Sequence, residues 1–212
     1  MNYLGHAAVA TWRSQDRAFV LGAMLPDLAT MIGARPPATT HAGLDAGMRF
    51  HYWTDEVFHR SVGFRELTRS AFDWLLARAV ERGRARAIAH VGVELLLDAD
   101  LSQTEAVRRA YLAALHGGVA PELGRHLSWA SPEGARGFED LRTRLLARGV
   151  TADAPAPEVT SQRLRRALSA RPRLALDDAA TLVALDWLTV AQPQVTARAA
   201  GLAREVAEHL GC

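Results

Sequence analysis

Nowhere in the chain do apolar and polar residues alternate through a run of β-branched or aromatic positions; alanine, leucine, arginine and glutamate dominate instead. A half-buried strand needs that period of two, whereas the dominant residues are strong helix formers. The chain is thereby confined to an all-α fold, a bundle of about eight or nine helices. Short apolar or amphipathic segments are expected at residues 3–12 and 17–31, the second broken by Pro26, followed by a loop through Gly33-Ala34-Arg35-Pro36-Pro37. Thr39 and Thr40 can cap a long helix over residues 41–60. A helix over residues 64–81 carries Phe64, Leu67, Ala71, Phe72, Leu75 and Val80 on one face and ends at Gly83; the next runs over 84–98. Ser102, with Glu105 as its capping-box partner, opens a helix stopped by Gly117-Gly118, and Ser131-Pro132-Glu133 opens another. Beyond a linker-like Ala-Asp-Ala-Pro-Ala-Pro at 152–157, three helical segments are expected at 159–170, 177–191 and 194–210.

The length of 212 residues suits a single domain, 1–212, with its chemistry in residues 1–100 and further helices over 101–212. A hydrophobic fraction of 49% excludes intrinsic disorder. The 25 basic residues are all arginine, and against 23 acidic ones they leave a net charge of +2, which argues against a dedicated nucleic-acid binder. The one cysteine, Cys212, excludes disulfide scaffolds and cysteine-based zinc sites. No run of 18 apolar residues predicts a membrane span, and the start Met1-Asn2-Tyr3-Leu4-Gly5-His6 lacks a basic n-region, so a cytoplasmic location is expected.

Histidine is distributed unevenly: five of eight (His6, His41, His51, His59 and His90) fall in the first 90 residues. On the helix over 41–60, His51, Asp55 and His59 stand at i, i+4 and i+8, and His90, Glu94 and Asp98 repeat the spacing further on, so each set shares a helix face. Both segments are rich in large apolar residues, and a carboxylate inside such a helix needs compensation by metal coordination or by a salt-bridge network. No arginine lies within 51–59 or 88–98. Imidazole with carboxylate suits zinc, manganese or iron. Upstream, Asp27 interrupts an apolar run and either caps a helical turn or serves the same site. His41 stands at a helix start and His6 in an apolar segment, each with an ordinary structural explanation beside the ligand one.

The ordered set Asp27, His41, His51-x-x-x-Asp55, His59 and His90-x-x-x-Glu94 resembles the metal-binding pattern of bacterial zinc-dependent phospholipase C, as does Gly22-Ala23-Met24-Leu25-Pro26-Asp27. The opening Met1 to His6, Leu25-Pro26-Asp27 and Ala46-Gly47-Met48 ahead of His51-Tyr52-Trp53-Thr54-Asp55 are similar to segments of acyl carrier protein phosphodiesterases. Both resemblances lie within residues 1–100. They imply an all-helical, metal-dependent phosphodiesterase with two or three divalent ions, zinc first and manganese or iron as alternatives. Under that reading Asp55 bridges two ions. His51, Asp27 and His41 complete one site, and His59, His90 and Glu94 the other. His6 ligates or orients a ligand, Asp98 is an outer carboxylate or general base, and Arg49 contacts phosphate. The substrate would be a phosphodiester: a small molecule, a lipid or a phosphopantetheinyl carrier protein.

Two other classes remain. A carboxylate-histidine di-iron oxidase expects paired Glu-x-x-His motifs, which do not occur at these positions. A non-catalytic helical interaction protein would use the same polar residues only to set its packing. The arginines at 163, 165, 166, 171 and 173 either dock an acidic partner or form a solvated face.

Overall fold

The computed structural model describes residues 1–101, 103–117, 124–150 and 154–212. Among these residues it has nine helices: α1 Tyr3–Arg13, α2 Arg17–Met31, α3 Ala42–Arg60, α4 Val62–Leu76, α5 Arg82–Leu101, α6 Glu105–Gly117, α7 Pro132–Arg148, α8 Pro157–Ser169 and α9 Asp178–Leu210. The two-residue strands β1 Ala38–Thr39 and β2 Leu127–Ser128 pair antiparallel, Ala38 opposite Ser128 and Thr39 opposite Leu127. The architecture is all-α, as expected. The cap at Ser102, the stop at Gly118 and the start of the linker at 152–153 lie outside the described residues.

The chain divides into two compact units. The first takes residues 1–57, 101–152 and 210–212; the second takes 58–100 and 153–209. In the first unit α2 is the central element, packed against α1, α6 and α7. Its sequence explains the position, because Val20 to Pro26, Leu28 and Ala29 are all buried, leaving no polar stripe to face water. Pro26 does not break it. Proline removes one backbone donor, yet the helix continues to Met31, and the Pro26 carbonyl accepts a hydrogen bond from Thr30 Oγ1 at 3.0 Å. Asn2, Asp16 and Ser131 cap α1, α2 and α7 through their side chains.

The cap of α3 is not the expected pair of threonines. Thr39 Oγ1 accepts from the His41 backbone N–H at 3.1 Å, and His41 is the cap, its Nδ1 accepting from Gly43 N at 3.1 Å and Leu44 N at 3.4 Å. Two glycines then fix how closely α3 lies against α2. A Cβ on Gly47 would stand 2.1 Å from the Phe19 carbonyl oxygen and 2.8 Å from Ala23 N; one on Gly22 would stand 2.3 Å from the Leu44 carbonyl oxygen. Only residues without side chains allow this backbone-to-backbone contact.

In the second unit α4 begins at Val62, capped by Ser61 and by Glu205, whose carboxylate accepts from Val62 N at 2.6 Å and Gly63 N at 3.1 Å. It stops at Leu76 instead of running to 81. Ala79 takes the left-handed conformation (φ 59°), while Ala79 N and Val80 N return to the Leu76 and Leu75 carbonyls, a helix ending usually given to glycine. Gly83 lies inside α5, where Glu81 Oε1 accepts its N–H and Glu81 Oε2 accepts that of Arg84. The expected break at residues 191–194 is absent, and α9 passes through Pro193 as one helix of 33 residues. Trp187 of α9 covers Gly92 of α5 so closely that a Cβ there would lie 2.3 Å from the indole ring. Ion pairs Arg84–Asp177 (2.6 Å), Arg165–Asp178 and Arg198–Glu66 (both 3.2 Å) decorate this unit's surface.

Candidate metal centre

The Gly22–Gly47 contact sets the first group of side chains. One turn beyond Gly47, His51 is delivered to the backbone of α2, where its Nδ1–H donates to the Ala23 carbonyl at 2.9 Å. That bond fixes the tautomer and leaves the Nε2 lone pair as the ring's available donor atom. His6, from α1, stacks on His51 with ring centroids 3.8 Å apart and planes inclined by 30°. Both imidazoles are buried, at 1% and 4% exposure. His6 Nε2 lies 3.1 Å from Asp55 Oδ1 and 3.9 Å from Asp27 Oδ2. One ligand atom from each of His6, Asp27 and His51 falls within 4.8 Å of the others. Asp55, one turn after His51, also accepts from the Met1 ammonium at 3.0 Å.

These positions decide the protonation states. Burial pushes the His6 imidazole down to about 3, against the raising effect of its Asp55 hydrogen bond. Burial also lowers His51, opposed by the Ala23 carbonyl. Burial alone would raise Asp55, but His6 and the Met1 ammonium together hold its carboxyl below the usual carboxylate range. Near pH 7 the group therefore presents neutral imidazoles beside an ionised Asp55, the state that a divalent cation requires of its ligands.

The second group lies in the second unit. His59 Nε2 and His90 Nε2 converge on one oxygen, Glu94 Oε1, at 3.0 and 3.2 Å. The two rings are stacked 5.0 Å apart, and Phe64 meets both edge-on at 5.3 Å. The three ligand atoms again fall within 4.8 Å of one another. Glu94 is largely buried while His90 is half-exposed. Burial would raise the Glu94 carboxyl, but the hydrogen bonds from His59 and His90 bring it well below its ordinary value.

Each group lies wholly inside one unit, so seven of the eight expected ligands form two triads with Asp55 beside the first. Three expected residues stand elsewhere. His41 belongs to neither triad: its Nδ1 is committed to the N-terminus of α3 and its ring meets His126 edge-on at 5.4 Å. Asp98 continues the i, i+4 stripe from Glu94, yet it is buried at 6% exposure and lies outside the triad, a poor position for a base that must meet substrate. Arg49 is turned away because residues 49 and 51 are about 200° apart around a helix; it is exposed and paired with Asp45. The Ala23 carbonyl, the Met1 ammonium and His126 escape a reading of spacing, since a backbone oxygen carries no residue signal and the other two reach their partners only through folding.

The fold and these groups define an all-α protein with two histidine–carboxylate triads. No family model, curated protein or solved structure matches the chain. Among the described residues no helix is long and apolar enough to cross a membrane.

Proposed function

We propose that the protein is a metal-dependent phosphoesterase acting on phosphodiesters, with divalent cations held by His6, Asp27 and His51 and by His59, His90 and Glu94. The observation that carries the proposal is the convergence of two buried, neutral imidazoles and a carboxylate, one imidazole having its tautomer fixed by Ala23. When bound, such cations supply Lewis acidity and a water ionised near neutral pH, with zinc the first expectation for nitrogen and oxygen donors. Asp55, held ionised, is a weak proton acceptor and serves as charge compensation and as a further ligand position. His6 gives the carboxylate its orientation through the 3.1 Å contact. The exposed edge of His90 leaves the second triad open to a phosphoryl oxygen.

The resemblances to zinc phospholipase C and acyl carrier protein phosphodiesterases favour a phosphodiester over other esters. A rival reading also has an observation behind it: Glu94 accepts from both histidines, and Asp55 from His6 and Met1, as in a polar network that only fixes packing. Elemental analysis of protein purified without added metal, together with His51→Ala and His90→Ala, separates the two. The proposal expects each variant to fold and to lose its own cation, and hydrolysis of bis(4-nitrophenyl) phosphate to disappear in both. A parent protein free of metal and inert after reloading with zinc, manganese or iron overturns it.

A further inference from the structure

The face of α3 opposite the first triad carries a second feature. Phe19 of α2 and Ala46, Phe50 and Trp53 of α3 floor a depression of about 320 Å³, with Arg13 and Arg49 at its rim. The rings pack as a continuous aromatic surface, Phe19 to Phe50 at 5.2 Å and Phe50 edge-on to Trp53 at 5.9 Å. Trp53 is 42% exposed, so part of its indole surface is left open to solvent. Arg49 has Asp45 as its partner, whereas Arg13 makes no ion pair among the described residues, so the rim keeps an uncompensated positive charge. Arg13 sits in the last turn of α1, and its guanidinium is exposed.

We infer that this depression binds a monomeric amphiphilic anion, its aliphatic body on Phe19, Phe50 and Trp53 and its carboxylate on Arg13 and Arg49. An aromatic floor meets an apolar chain, and two guanidinium groups, one of them paired with Asp45, select a negative headgroup over a neutral or positive one. The depression is shallow and open, and its volume, at the lower end of small-ligand sites, leaves room for one chain. Residues 49 and 53 lie about 200° around α3 from 51 and 55, so this site is separate from the proposed catalytic group and stands or falls independently of it.

The test is calorimetric titration of the full chain with decanoate below its micellar concentration, beside decanol and decyltrimethylammonium. Saturable binding of decanoate at one per chain is expected, about tenfold tighter than decanol, with the cationic analogue inert. Arg13→Gln is expected to weaken decanoate about tenfold while leaving decanol unchanged, and Trp53→Ala to weaken both. Circular dichroism establishes that each variant folds, and triad metal content is expected to stay at the parent level in both. Equal affinity for decanoate and decanol, indifference to Trp53→Ala, or no saturable binding overturns the inference. So does sedimentation with phosphatidylglycerol vesicles without binding of free decanoate, which would make the patch a membrane contact instead.

Discussion

Replacing Gly47 by alanine adds one methyl group where two helices touch through their backbones. The new carbon would stand 2.1 Å from the Phe19 carbonyl oxygen and 2.8 Å from Ala23 N, neither of which can rotate aside. Overpacking of this kind costs about 1–3 kcal/mol, and alanine returns about 1 kcal/mol through its better helix propensity. Because the atoms struck are backbone, the cost lies toward the upper end, leaving a net loss of about 1–2 kcal/mol. At this chain length that lowers the melting temperature by about 2–8 °C. Gly201 in α9 provides the opposite case, since a Cβ there meets nothing within 4 Å. Gly201→Ala is expected to gain about 0.5–1 kcal/mol from propensity alone. Urea unfolding of both variants beside the parent reads the two signs directly. Separation of α3 from α2 would also lengthen the His51–Ala23 hydrogen bond, so Gly47→Ala is expected to bind zinc at the first triad about tenfold more weakly. A Gly47→Ala protein as stable as the parent, with zinc affinity unchanged, would refute the claim that backbone contact between α2 and α3 positions His51.

In the metal-free protein, stability should fall on acidification below pH 6.5. His6 takes up a proton near 6.5 when unfolded but only near 3 when folded, so between those values the unfolded chain binds more protons and stability rises with pH by up to about 1.4 kcal/mol per unit. Asp55 adds a loss of the same sign below its unfolded value of 3.8. His6→Asn should flatten the profile between pH 4 and 6 in urea titrations, and an unchanged slope would exclude His6 as its source. Glu205→Ala removes the acceptor of Val62 N and Gly63 N, with an expected loss of about 1 kcal/mol, whereas Glu208→Ala on the exposed side of the same helix should stay within about 0.5 kcal/mol. Gly92→Ala drives a methyl into the Trp187 ring and should lower stability by about 1–3 kcal/mol, detectable also as altered tryptophan fluorescence.

Much of the second triad was legible before folding, because His90 and Glu94 lie on one helix and four-residue spacing is a local property. The same rule overreached at Asp98: equal spacing places a residue on a stripe without saying how far the stripe remains within reach of its neighbours. Arg49 failed for the converse reason, two positions of helix turning it to the opposite side from His51. His41 was placed correctly at a helix start, but its ring was spent on capping, a role that its neighbours Thr39 and Thr40 advertised more strongly. The helix limits missed at Pro26, Ala79 and Pro193 share a cause. Local propensity forecasts breaks at proline and stops at glycine, while burial of an apolar face carried α2 through Pro26, α9 ran on through Pro193, and an alanine took the left-handed stop.

The amino-acid sequence by itself determined that this chain is helical and that His51 shares a face with Asp55, and His90 with Glu94, since a helix repeats every 3.6 residues wherever it is found. Only the tertiary structure decided that His6 stacks on His51, that Ala23 supplies the carbonyl orienting it, and that Asp27 completes a triad while His41 does not. Those partners come from different helices. Their meeting depends on how closely α1, α2 and α3 approach, and between α2 and α3 that distance is set by two glycines that look like any others until the backbones touch.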